Sequence, residues 1–413
     1  MTQSSVSLGL PWKLPYYRPL NGFHPLVESF IKNNPSSKIH VVNRALNPDD
    51  SIAASTVFRL SEQTRSLNPE QALNYVNHLN IFDQLCIEAQ SEQFEMLFQH
   101  TAPMYCGAKP WIFHFESLPS IFMPFIRTGK TSGITLRDKD YFKKIKAEFA
   151  SDQCLAIFTH IAESRAIFER VFDTPRITDK LHYIPLGIDI IAPEKALDKF
   201  QSPKALRILF TNSLHQDPTS FYIRGGHHLL KAFRLIRRDH PQVELTILSS
   251  VPQDIEKWFT ADDLVGVTWI QDRVDDLTLE NLYLTHHIFA LPTAGLHSFS
   301  ILRALASGCI PLISDAPGYE EYAHNLPDSI LRIHGVREQV YHDHAEGWLQ
   351  DNYLPFIEAP SAHYITQIHQ QILQNSNFDL LRVMAMRNLL HCKMSLAPTA
   401  SHNAFNKMLE TLS

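Results

Sequence analysis

Forty-two residues, Asn281 to Tyr322, constrain the fold of this 413-residue chain more than any other stretch: NLYLTHHIFALPTAGLHSFSILRALASGCIPLISDAPGYEEY. They read as a helix end, a short buried strand, a loop, a helix and a second buried strand. Ile288 to Leu291 is an apolar run stopped by Pro292, and Thr293 to His297 is a loop of mostly small residues. Ser298 or Ser300 is predicted to cap the following helix, Gly308 to end it, and Cys309 to Ile313 to form the second strand. Strand, loop, helix and strand in that order make a parallel α/β unit, whose ligands bind at the carboxyl ends of the strands. The helix start near Ser298 offers unpaired N–H groups and the positive end of a dipole, which suits a diphosphate.

The chain is too long for one core of ordinary size, and two domains are expected. The net charge of −6 leaves no broad basic field for a nucleic acid. Cys86, Cys106, Cys154, Cys309 and Cys392 are scattered without metal-binding spacing, the usage of reduced thiols in a cytoplasmic compartment. The N-terminal residues lack the pattern of a signal peptide, and no apolar run reaches the ~20 residues of a membrane helix. A cytoplasmic protein is expected, with peripheral contact at the inner face of a membrane left open.

Strand–helix alternation runs through the chain. Strands are predicted at Val6 to Leu10, Lys38 to Val42, Trp111 to Phe115, Cys154 to Phe158, Lys180 to Pro185, Arg207 to Thr211, Val243 to Leu248 and Thr268 to Ile270. Helices are predicted at His24 to Asn33, Ser66 to Gln99, Asp140 to Ala150, Ile161 to Phe172, Leu277 to Leu284 and Gly225 to Asp239, the last with Leu229, Leu230, Phe233 and Ile236 inward. Ser361 to Leu412 reads as two or three helices. An inter-domain linker is placed around Ala192 to Pro203, and a doubly wound sheet is the architecture this alternation supports. His114, Glu116 and Ser117 stand where a buried strand stops, a position for a cleft edge. The pairs His227-His228 and His286-His287 read as ordinary surface or interface residues, because neighbouring helical side chains diverge and cannot share a metal.

Several segments taken together resemble the family-4 retaining glycosyltransferases, which have the GT-B fold: ILFTNS (208–213), YIRGGHHLLKAFRLI (222–236), ELTILS (244–249), IFALP (288–292) and ILRALASGCIPLISDAPGYEEY (301–322). CLAIFTHIAESRAIFERVF (154–172) and KLHYIPLGID (180–189) fit the part before the linker. The resemblance implies two Rossmann-like domains facing a cleft: an acceptor-side domain over 1–195, a donor domain over 196–390 and a C-terminal helix over 391–413 crossing back to the first. It further implies a nucleotide-diphosphate sugar as donor, a glycan, lipid-linked or small hydroxyl acceptor, retention of anomeric configuration, and neither cofactor nor metal.

On this resemblance Arg224 clamps the diphosphate, bidentately as guanidinium allows, and Gly225 and Gly226 let the backbone approach the ligand. Asn212 and Ser213 stand where a second basic residue is usual. His297 and Ser298 are candidates for phosphate or sugar contact, Glu321 or its neighbour Glu320 for a donor hydroxyl, and His114 and Glu116 for acceptor-side chemistry. Asn21-Gly22 matches a glycine turn near the acceptor. The two glutamates that the family carries eight positions apart are replaced by Gly295 and Arg303. Arginine cannot accept hydrogen bonds from ribose hydroxyls, so its expected part here is added positive charge at the diphosphate. Loss of both glutamates keeps a second reading open, a non-catalytic GT-B protein that binds a glycan or a partner. A third, an epimerase acting on the donor itself, also stays open.

Overall fold

The computed structural model describes residues 5–10, 29–41, 91–100, 108–122, 136–138, 140–201, 203–212, 220–272, 274–343, 349–351 and 354–412. The chain divides into two compact units. Unit 1 comprises Met1–Gly187, Asp343–Asp351 and Pro398–Ser413; unit 2 comprises Ile188–His342 and Asn352–Ala397. Asn21-Gly22, Ser213 and most of the helix expected over Ser66 to Gln99 lie outside the described residues.

Unit 1 holds β1 (Val6–Leu10), β2 (Ser37–Val41), β3 (Met96–His100), β4 (Trp111–His114), β5 (Cys154–Thr159) and β6 (Leu181–Tyr183) in a parallel sheet of order β2-β1-β3-β4-β5-β6. Alternation along β4 sets its two faces. Trp111 and Phe113 pack on Phe149 of α1 (Asp140–Ala150), and Phe115 stacks on Phe168 of α2 (Ala162–Val171). His114 turns the other way, against Phe30 and Phe158.

The end of the predicted Ser66 to Gln99 helix is a strand instead. Met96–His100 is fully buried, and a strand covered on both faces shows no alternation. Met, Leu and Gln are good helix formers, so local propensity points the wrong way there.

Unit 2 holds β7 (Arg207–Thr211), β8 (Glu244–Leu248), β9 (Val267–Ile270), β10 (Ile288–Leu291), β11 (Ile310–Ser314) and β12 (Leu331–Ile333), all parallel, in the order β9-β8-β7-β10-β11-β12. This is the doubly wound Rossmann order, with its reversal between β7 and β10. Its helices include α3 (Gly226–Asp239), α4 (Asp276–Thr285), α5 (Ser298–Ala306), α6 (Ala362–Gln374) and α7 (Phe378–Ser395). Leu229, Leu230, Phe233 and Ile236 of α3 are buried as their spacing predicts. The Ala192 to Pro203 stretch is largely helical, at Pro193–Leu197 and Asp198–Phe200, and buries Ala196, Leu197 and Phe200. The last helix, α8 (Pro398–Glu410), belongs to unit 1, where Phe405 stacks on Phe30 and Phe98 and Asn406 hydrogen-bonds Asn34.

Both histidine pairs are buried, contrary to the surface reading. His227 donates through Nε2 to the Phe356 carbonyl at 2.9 Å, and His228 accepts the Ser361 N–H at 3.1 Å. His286 donates to the Leu282 carbonyl and accepts from Thr246 Oγ1. His287 accepts the Arg207 N–H and donates to the Lys199 carbonyl. Each is a neutral ring used as a fitted donor or acceptor. Burial pushes His227, His286 and His287 down to about 4, with Lys199 and Arg207 adding to the effect at the latter two. Burial, followed by the charge of His227, holds His228 well below its ordinary value.

An unfolded histidine binds a proton near pH 6.5, whereas His227, His286 and His287 do not until about pH 4, and His228 is shifted in the same direction. Stability is therefore unaffected by them above pH 6.5 and is lost as pH falls from there towards 4. The slope is about 1.4 kcal/mol per pH unit for each ring. A pH series of urea unfolding should show the steepest loss in this window, and His227→Gln should flatten it.

Candidate active site

In an open parallel sheet the ligand crevice lies beyond the carboxyl ends of the strands where the order reverses. In unit 2 that point is the end of β7, at Thr211-Asn212, beside the end of β10, at Leu291-Pro292. The segments that converge on it are the Ser220–Ile223 helical turn, the Arg224-Gly225 corner and the Thr293 to His297 loop.

Gly225 brings them together. It sits at φ +75°, the left-handed region, as the residue that opens α3, and a Cβ there would lie 2.0 Å from the Pro292 carbonyl oxygen. A Cβ on Gly226 would lie 2.3 Å from the Phe221 ring. The space these glycines leave is filled by protein, so their part in the described residues is helix-to-strand packing. Ala294 N–H then donates to the Ile223 carbonyl at 2.8 Å, and Thr293 Oγ1 closes the loop through Gly295 N–H at 3.1 Å. Tyr341 donates its phenol to the Ala294 carbonyl, and Ser314 donates to the Thr293 carbonyl. The loop after β10 is thus tied to the corner carrying Arg224.

Arg224 is buried, 7% exposed, and donates from Nη1 to the Thr211 carbonyl at 3.4 Å. Its guanidinium is thereby held at the carboxyl end of β7. Asn212 donates to Ser220 Oγ at 2.8 Å and Ser249 Oγ at 3.2 Å, which fastens the ends of β7 and β8 to the short helix. α5 begins at Ser298, which is wholly buried, and its N-cap is His297 with no side-chain capping bond. The serine caps expected from the sequence are not made.

Arg303, on the same helix, pairs with Asp276 of α4 at 3.7 Å and lies 4.8 Å over the Phe299 ring. Tyr283 ties this helix to the reversal point. Its hydroxyl lies 3.5 Å from Thr211 Oγ1, and it also bonds Ser300 and feels the charge of Arg303. Glu320 is exposed and paired with Arg332, whereas Glu321 is half-buried at the start of the Tyr319–Ala323 helix. Asp315 accepts three backbone N–H groups, from Gly335, Val336 and Arg337, and so caps the next short helix.

His114 and Glu116 belong to unit 1, where a constellation the sequence reading missed surrounds them. His100, His114 and His160 stand at the ends of three adjacent parallel strands. His100 Nδ1 is 2.8 Å from His114 Nδ1, and His114 Nε2 is 3.0 Å from His160 Nδ1. His160 Nε2 lies 3.9 Å from a carboxylate oxygen of Glu116. All three rings are buried and stacked at centroid distances of 4.9 and 5.2 Å. A neutral imidazole has one donor and one acceptor, so the tautomer of the middle ring fixes both links. A proton shift at one end therefore propagates to the other. The sequence signal was present: a histidine at or just after the end of three consecutive strands, with Glu116 following the second.

Two outcomes follow from these geometries. Gly225→Ala should cost about 3 kcal/mol, combining left-handed backbone strain with overpacking on Pro292. His114→Leu leaves two buried ring nitrogens with lost bonds and should cost about 2–4 kcal/mol. The urea midpoints of the two variants, read against wild type, check both.

No protein-family model matches the sequence, and no curated protein does. Solved structures match it along its length. A UDP-forming α,α-trehalose-phosphate synthase from Burkholderia vietnamiensis aligns with a TM-score of 0.61 at 9% identity, covering 99% of this chain and 100% of that one. The corresponding synthase from Burkholderia xenovorans aligns with a TM-score of 0.59 at 11% identity, covering 99% of both chains. Anabaena HepE, solved in complex with UDP and glucose, aligns with a TM-score of 0.52 at 8% identity, covering 98% of this chain and 100% of that one. With its two six-stranded parallel sheets and flanking helices, the chain has the two-domain α/β GT-B fold of these proteins.

Proposed function

We propose that this protein is a glycosyltransferase that moves a sugar from a nucleoside-diphosphate sugar to a hydroxyl acceptor, with retention of anomeric configuration and without a metal. The observation that carries the reading is the convergence of Arg224, the loop after β10 and the start of α5 on the Rossmann reversal point of unit 2. Negative charge grows on the departing diphosphate as the glycosidic bond breaks, and donors already aimed at it need no reorganisation. Arg224 and the first-turn N–H groups of α5 are donors of that kind, and Arg303 adds positive charge on the same helix. The matched synthases are UDP-forming and HepE was solved with UDP and glucose, which makes UDP-sugars the first donors to try. A glycan, a lipid-linked sugar or a small hydroxyl compound is the acceptor class. In unit 1, Glu116 and the histidine row would receive or direct the acceptor proton.

A second reading, a GT-B protein that binds without transferring, is favoured by one feature. Gly295 and Arg303 occupy the positions of both expected glutamates, and Arg303 is engaged by Asp276.

The test is a thermal-shift panel of UDP, GDP, ADP and CDP with their sugar conjugates, using wild type and Arg224→Gln. The variant keeps an amide donor for the Thr211 carbonyl and loses the charge. At a hundred times its Kd a ligand adds about 2.7 kcal/mol, a rise on the order of 5 °C. A nucleotide that stabilises wild type and leaves the variant unmoved supports the donor site; no response at millimolar concentration removes it. Stabilisation by a donor that is never consumed, with any acceptor or with water, supports the binding protein.

A further inference from the structure

α7 (Phe378–Ser395) has two apolar faces, and only one of them is used. Leu381, Met384, Ala385, Leu389 and Cys392 are buried in unit 2. Leu380, Val383, Met386, Leu390 and Met394 are between 44 and 74% exposed. At 3.6 residues per turn these five, together with the exposed Arg382, Arg387 and Lys393, fill a continuous arc of about 160°. Met386, Leu390, Val383 and Met394 form its centre, with Leu380 at one margin. Arg382 and Lys393 flank the centre on one side and Arg387 on the other, all three exposed. No carboxylate stands within ion-pair distance of these cations among the described residues. Asp379, in the first turn, is the one acidic residue on the arc.

Isolated exposed leucines are ordinary, but a row of five along one helix is not. Arginine and lysine stems lie along apolar surface while their heads reach outward. A helix with an apolar ridge between basic flanks fits the boundary between acyl chains and anionic headgroups. The charge sign is particular to this face, because the chain as a whole carries −6. Among the described residues no helix is long and apolar enough to cross a membrane, so α7 is suited to lying on a surface. We infer that the exposed face of α7 docks unit 2 on an anionic lipid bilayer, with Val383, Met386, Leu390 and Met394 entering the interface and Arg382, Arg387 and Lys393 meeting phosphate headgroups. This goes beyond the sugar-transfer reading and does not depend on it.

The experiment is co-sedimentation of the full chain with phosphatidylcholine vesicles, with and without phosphatidylglycerol. Wild type should partition onto the anionic vesicles and be released by high salt. Neutralising Arg382, Arg387 and Lys393 to Gln should lower partitioning on the order of 100-fold, at roughly fivefold per basic residue. Leu390→Ser with Met394→Ser should lower it without removing any charge. All five positions are exposed, so unchanged melting curves will exclude unfolding as the cause. Wild type that ignores anionic vesicles overturns the inference, as does binding that neither variant weakens. Sedimentation velocity supplies the remaining arm: self-association of wild type that the double serine variant abolishes would assign the face to a second copy of the chain and overturn lipid docking.

Discussion

The contact between Gly225 and the Pro292 carbonyl decides the geometry of unit 2. It is the point at which the corner before α3 and the end of β10 touch backbone to backbone, and it lies at the reversal of the sheet order. No side chain fits there, and the left-handed φ excludes most residues on its own account. Because the corner is pressed against β10, the Ile223 carbonyl meets Ala294 N–H and the arginine just before the glycine is directed at the end of β7. Remove that approach and Arg224, the Thr293 loop and the start of α5 lose their common frame.

Much of this was legible because unit 2 obeys local rules. β7 and β10 were read at Arg207 to Thr211 and Ile288 to Leu291, as observed, since short buried runs stopped by Asn212 and Pro292 leave little choice. The inward face of α3 followed from its spacing. What stayed hidden depended on burial from elsewhere in the chain. Met96–His100 reads as helix because its residues favour helix and its partners, β1 and β4, come from distant segments. The histidine pairs read as surface because only tertiary structure brings Phe356, Ser361, Lys199 and Thr246 to them. His100, His114 and His160 became one row only once β3, β4 and β5 were placed side by side.

The two units treat histidine in different ways. In unit 2 the hydrogen bonds of the paired histidines run to backbone groups and threonine hydroxyls, and the neutral state is held by burial. In unit 1 the rings hydrogen-bond one another, so the tautomers along the row are linked, and the half-exposed Glu116 at its end carries the local negative charge. The first arrangement fixes structure. The second leaves proton positions coupled, which is the property acid–base chemistry needs.

The departures at Gly295 and Arg303 act in one direction electrostatically. Two carboxylates replaced by a glycine and an arginine make the surroundings of the α5 start three charge units more positive than the family pattern that the sequence resembles. Asp276 offsets part of that at 3.7 Å, but it is almost fully solvated, so the offset is screened. The same exchange removes the groups that accept hydrogen bonds from sugar hydroxyls. On the sugar-transfer reading proposed above, a site altered in this way would hold the diphosphate more strongly and ribose and hexose less. Affinity in such a site should follow the phosphates, with discrimination among bases and sugars coming from side chains other than these two.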